Sequence, residues 1–143
     1  MKTVAQLLKR KPAGVISIRP DAPVLEALKL LADRDVGAVL AMDGSRLVGI
    51  VSERDYTRKV ALKGKSSADT PVSEIMTREV ICVTPAQTNE ECMALMTERR
   101  IRHLPVAEHG DVVGVISIGD VVKFQSKQQS VQIQYLTEYI NAR

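Results

Sequence analysis

The stretch Leu47-Val48-Gly49-Ile50-Val51-Ser52-Glu53-Arg54-Asp55 returns, 65 positions further on, as Val112-Val113-Gly114-Val115-Ile116-Ser117-Ile118-Gly119-Asp120. Each copy is an apolar, β-branched run that reads as a strand and ends in Ser-x-x-Asp, which reads as a helix start. The same offset carries Val15-Ile16-Ser17-Ile18-Arg19-Pro20 onto Val80-Ile81-Cys82-Val83-Thr84-Pro85 without a gap. It also carries Glu26, Leu30 and Arg34 onto Glu91, Leu95 and Arg99. A register held this long marks an internal duplication, and the duplication organises the whole chain.

Each half gives the same order of elements. A short β-branched strand over residues 15–18, and again over 80–83, is closed by Pro20 and Pro85. A helix follows, opened by Pro23 in the first half and by the capping box Thr88-x-x-Glu91 in the second. Its apolar stripe is Val24, Ala27, Leu28 and Leu31; Cys92, Met93 and Met96 hold the matching places. Cys92 is therefore expected in the core rather than as a reactive thiol. Two apolar runs come next, residues 38–42 and 47–52, split by the hairpin signal Asp43-Gly44-Ser45-Arg46. Residues 104–107 and 112–117, around His109-Gly110, repeat them. A second helix starts at Ser52 and at Ser117. The unit is β-α-β-β-α, twice, so the expected class is α+β. Short lead segments precede the units: Val4-Ala5-Gln6-Leu7-Leu8 and Val72-Ser73-Glu74-Ile75-Met76.

The expected division puts the first repeat with its lead segment at residues 1–62, a polar linker at 63–71 and the second repeat at 72–125. A tail at 126–143 carries Val131, Tyr135, Leu136, Tyr139 and Ile140 on one helical face. Hydrophobic residues are 45% and charged residues 26% of the chain, the balance of a globular protein. Aromatic residues are only 3%, too few for a base-stacking surface. The net charge of +3 is dispersed, and its one run of three, Lys9-Arg10-Lys11, reads as a solvated helix end. No apolar stretch approaches the roughly 18 residues of a membrane span, and the start lacks an apolar signal block. The expected compartment is the cytoplasm, with no membrane contact. Cys82 and Cys92 lie ten apart, and His103 and His109 have no ligand cluster beside them, so no metal is expected.

The repeated motif supports two readings. The first turn of a helix presents unpaired N–H groups and partial positive charge, which suits a phosphate. Ser52 can donate to a phosphate oxygen, and Asp55, an acceptor when ionised, can take both hydroxyls of a ribose. Arg54, Arg58 and Lys59 stand nearby to add charge-assisted contacts. The competing reading is structural: Ser-x-x-Asp is close to a capping box, and duplicated helices need duplicated caps. Both roles can coexist at one helix start.

The doubled Gly-h-h-Ser-x-x-Asp string (h, apolar), together with Val72-Ser73-Glu74-Ile75-Met76-Thr77 and Arg102-His103-Leu104-Pro105-Val106, resembles a tandem pair of CBS domains of the stand-alone, bacterial type. The likeness runs from Val4 to about Gln125. It implies two repeats related by pseudo-two-fold symmetry, with a C-terminal helix beyond them. It also implies adenosyl nucleotides bound in clefts between the repeats. One site would be built on Asp55 with Ser52, Arg54, Ile50, Thr77, Ile81, Ile101 and Arg102. The other would be built on Asp120 with Ser117, Val115, Gly14, Ile16, Val36, Gly37 and His103. The implied ligand is AMP first, with ATP, ADP, NAD or S-adenosylmethionine as alternatives. The implied assembly is a homodimer that reports occupancy to a regulated protein.

The expected function is thus a regulatory, signalling module without catalytic residues. A nucleotide-hydrolysing enzyme is the first alternative, and it finds no Walker-type phosphate loop or metal-ligand pair. A nucleic-acid-binding protein is the second, and it lacks a helix-turn-helix or zinc signature and a concentrated basic stripe.

Overall fold

Gly44-Ser45 and His109-Gly110 make the two-residue turns of a pair of equivalent hairpins. Strands β2 (Ala38–Asp43) and β3 (Arg46–Ser52) pair antiparallel, with Asp43 opposite Arg46. Strands β4 (His103–Glu108) and β5 (Asp111–Ser117) repeat this, with Glu108 opposite Asp111. Gly44 has φ 64°, and in the second turn His109 and Gly110 have φ 53° and 84°. Positive φ at these places matches the turn to the twist of the strands. The computed structural model describes residues 2–125 and 140–141; apart from Ile140 and Asn141, the expected tail helix lies outside them.

The chain forms two compact units that exchange lead segments. One is Val15–Val80; the other joins the residues up to Gly14 to the chain from Ile81 onward. In the Val15–Val80 unit, β1 (Ser17–Ile18) lies parallel to β2, giving the sheet order β1-β2-β3. Helix α2 (Val24–Arg34) lays Val24, Ala27 and Leu31 on Val39, Ala41 and Val51 of the sheet. Its first amides are capped by main chain, because Pro23 offers no side-chain cap: Val24 N–H donates to Thr70 O at 2.8 Å and Leu25 N–H to Ser67 O at 3.0 Å. The polar stretch 63–71 is thereby pinned to the start of α2. Helix α4 (Val72–Ile75), the second lead segment, adds Val72, Ile75 and Met76 to this same core. Helix α3 (Glu53–Tyr56) leaves β3 and continues as a π-helical turn over Thr57–Ala61 that buries Val60.

In the other unit, α1 (Val4–Leu8) places Val4 and Leu7 against Cys92 and Met96 of α5 (Asn89–Arg99) and Leu104, Val106 and Ile116 of the hairpin. Helix α6 (Ile118–Gln125) completes this core with Val121 and Phe124. The ammonium of Lys2 donates to Phe124 O at 2.7 Å and Gln125 O at 3.1 Å. Burying one such aliphatic side chain is worth about 2 kcal/mol. Cys92 is fully buried, as its place in the stripe predicts, and burial raises its thiol pKa to about 11.

The expected strand over 80–83 shrinks to a single bridge, Val83 opposite Val106. In the first repeat Leu40 N–H donates to Ile16 O at 3.2 Å. The residue that corresponds to Leu40 is Pro105, which has no N–H for Ile81, and the ladder loses that rung.

The glycine of the repeated string is set by this exchange of lead segments. A Cβ on Gly49 would lie 2.6 Å from Met76 Sδ and 3.1 Å from its Cβ; one on Gly114 would lie 2.7 Å from Leu8 Cδ2. Leu8 can yield at its tip, whereas Met76 is obstructed back to its stem. Gly49→Ala is expected to cost about 1–3 kcal/mol and Gly114→Ala less. Urea denaturation of the two variants checks the order; equal losses contradict it.

Candidate functional site

At the end of β3 the chain turns into α3 with Ser52 as N-cap. Ser52 Oγ accepts from Asp55 N–H at 3.2 Å, and Asp55 Oδ2 accepts from Ser52 N–H at 2.9 Å and from the Ser52 hydroxyl at 3.1 Å. The first helical amide, Glu53 N–H, donates to Gly37 O at 3.1 Å. Asp55 Oδ1 is held from outside the helix start. Thr77, just past α4, donates its hydroxyl at 3.2 Å, and the Lys59 ammonium lies at 3.0 Å. Lys59 also donates to Ile75 O at 2.9 Å, so one ammonium ties α3 to the end of α4. The Asp55 side chain is 10% exposed.

The second copy keeps the cap and changes its partners. Asp120 N–H donates to Ser117 Oγ at 3.1 Å, and Asp120 Oδ2 accepts from Ser117 N–H at 2.8 Å. Ile118 N–H donates to Arg102 O at 2.8 Å, the counterpart of the Glu53–Gly37 bond. The outside partner is Lys11, whose ammonium lies 2.7 Å from Asp120 Oδ2 and donates to Val115 O at 2.6 Å. The bonds from Lys11 and from the Ser117 N–H both end on Oδ2. The Asp120 and Lys11 side chains are 27% and 32% exposed. Burial pulls the Asp120 pKa upward, but the Lys11 ammonium and the Ser117 N–H and hydroxyl more than offset it, leaving it below the ordinary range. His103, half-buried, starts β4 opposite Ser117. Burial lowers its pKa to about 4; Asp120 works against this, while Arg102 and Lys11 add to it.

The residues expected at the two sites divide between the units. Ser52, Arg54, Asp55, Ile50, Thr77, Ile16, Val36 and Gly37 belong to Val15–Val80. Within it Ile50 and Thr77 exchange main-chain bonds of 3.0 and 2.8 Å, and Ile16 and Val36 pack on the core. Arg54 is exposed beside Asp55. Ser117, Asp120, Val115, His103, Arg102, Ile101, Ile81 and Gly14 belong to the other unit. There Ile81 and Ile101 pack on the core, and Gly14 is exposed with φ 107°.

Lys11 is the residue the sequence reading misses. It is 109 positions from Asp120, and the run that holds it reads as a solvated helix end. A weak signal exists in the lead segments: aligning Val4 on Val72 puts Lys9 on Thr77, two residues before Lys11. Among the described residues no three His, Cys, Asp or Glu side chains gather as metal ligands, and no helix is long and apolar enough to cross a membrane.

The CBS domain family model matches residues 4–62 and 72–127. A protein with CBS domains from Burkholderia ambifaria MC40-6 is 50% identical, with a TM-score of 0.86 over 90% of this chain and 96% of that one. A CBS domain protein from Pyrobaculum aerophilum, solved complexed with AMP, is 28% identical, with a TM-score of 0.74 over 93% of this chain and 98% of that one. The mitochondrial CBS domain-containing protein CBSX3 of Arabidopsis thaliana is 40% identical over 125 residues, which are 84% of this chain and 61% of the relative's length. Doubled caps, exchanged lead segments and matched repeats together place the chain in the CBS-domain family, as a tandem pair.

Proposed function

We propose that this protein binds an adenosyl nucleotide, with the carboxylate of at least one Ser-x-x-Asp copy accepting the ribose hydroxyls, and that occupancy is passed to a regulated protein. AMP is the leading ligand; ADP, ATP, NAD and S-adenosylmethionine are the alternatives. The observation that carries the reading is the second motif copy. Its aspartate is partly open, with the bonds from the Ser117 N–H and from Lys11 both on Oδ2, beside a helix start and a partly exposed ammonium. The AMP complex of the Pyrobaculum relative supports the ligand class. The role is one of sensing, with the nucleotide returned unchanged. A homodimer in the cytoplasm is the proposed setting.

A ligand that binds only the native state raises stability by about 2.7 kcal/mol at one hundred times its Kd. For a chain of this size that is a rise in Tm of roughly 5–10 °C. A thermal-shift panel of the five compounds is expected to give such a rise for AMP, and chromatography is expected to recover it intact. No shift with any of the five overturns the reading, and released adenine or phosphate turns it toward hydrolysis.

A further inference from the structure

The two motif copies hold their aspartates differently. Asp55 uses both oxygens twice: Oδ2 accepts two donors from Ser52, and Oδ1 takes Thr77 and Lys59. Four contacts fill what a carboxylate accepts, and little of the side chain meets solvent. In Asp120 the bonds converge on Oδ2, from the Ser117 N–H and from Lys11. A cis-diol grips a carboxylate with one hydroxyl on each oxygen. Oδ1 can accept one hydroxyl. The second needs a direction on Oδ2 that is already in use. The Ser117 N–H is fixed in the main chain, whereas Lys11 is a flexible side chain about one-third exposed; at Asp55, moving the equally flexible Lys59 still leaves the Ser52 and Thr77 donors on a carboxylate only 10% exposed.

Resting on the nucleotide reading above, we propose that Lys11 is the displaceable occupant of a single sugar site at Asp120, and that the Asp55 copy is a sealed joint that takes no sugar. When a ribose engages Asp120, Lys11 leaves Oδ2 and turns its ammonium to the ligand's phosphate. The released charge offsets the anion brought in, so the site favours a nucleotide over the bare nucleoside. Because Lys11 lies just beyond α1, filling the site changes the hold on the first lead segment, whereas Thr77 and Lys59 keep the second lead segment fastened to Asp55.

Calorimetric titration with AMP and with adenosine tests this on the full chain. Wild type is expected to bind one AMP per chain, and Asp120→Asn to lose at least about tenfold in affinity for both probes, the scale of a charge-assisted bond. Lys11→Met is expected to bind adenosine about threefold tighter than wild type, while its preference for AMP over adenosine falls about tenfold. Asp55→Asn is expected to lower Tm and leave AMP affinity within about twofold; Thr77→Val, a milder change at the same joint, is expected to leave it unchanged. Weaker adenosine binding in Lys11→Met, two AMP per chain, or loss of AMP binding in Thr77→Val overturns the proposal and leaves the nucleotide reading standing. Absence of heat from wild type with both probes overturns the proposal, and the nucleotide reading falls with it only if the five-compound thermal panel also shows no shift.

Discussion

Asp55→Ala is expected to lower the stability of the protein by about 3 kcal/mol, and its Tm by roughly 10 °C. The substitution breaks a capping box, which alone is worth about 1 kcal/mol. It also leaves the Ser52 N–H and the Thr77 hydroxyl without the acceptor that satisfies them. The Ser52 N–H, partly buried, costs about 1–3 kcal/mol when orphaned, whereas Thr77 is exposed and its hydroxyl turns to water at little cost. The Lys59 pair adds little, because the lysine side chain is 43% exposed and water replaces the carboxylate. Asp120→Ala loses the same kind of cap, but its carboxylate and Lys11 both reach solvent, and about 1 kcal/mol is expected. Urea melts at neutral pH with an unchanged m-value measure the pair. Equal losses at the two positions contradict the view that one copy is a joint and the other a site.

Between pH 6.5 and pH 4 the protein is expected to lose stability on account of His103. The unfolded imidazole takes its proton near 6.5 and the folded one near 4, because burial disfavours the cation and Arg102 and Lys11 oppose it further. The unfolded state therefore binds more protons in this window, and stability rises with pH across it. The contribution is complete above 6.5 and declines as pH falls toward 4; at about 1.4 kcal/mol per unit it is on the order of 3 kcal/mol. The neighbouring Asp120 acts with the same sign in a lower window, since its depressed pKa stabilises the fold until the carboxylate protonates. His103→Gln keeps a polar group of similar size without the titration. The difference in stability between wild type and His103→Gln is expected to shift by that amount between pH 7 and pH 4.5. Parallel pH profiles contradict it.

Much of this architecture is legible in the amino-acid order because the duplication repeats each local signal. Turn residues at 43–46 and around His109-Gly110 set the hairpins, and Thr88 with Glu91 caps α5 as its spacing predicts. Ser52 and Ser117 open helices where the motif says they do. Other features depend on partners far away in sequence. The strand expected over 80–83 fails because Pro105, 25 positions from Val80, withholds one N–H. The capping of α2 by Ser67 and Thr70 carbonyls leaves no trace in side-chain type. The exchange of lead segments is hinted at only by the glycines of the motif, whose missing Cβ atoms make room for Met76 and Leu8. At the candidate sites, residue type identifies both aspartates, and only coordinates distinguish the carboxylate closed by Thr77 and Lys59 from the one held by Lys11.

A crystal structure grown with AMP is the most direct test of the proposed role. The account predicts ribose hydroxyls within about 3 Å of the Asp120 carboxylate oxygens, with Lys11 moved off Oδ2. AMP bound away from Asp120, whether on Asp55 or elsewhere, or a nucleotide-free lattice at saturating AMP, would contradict it.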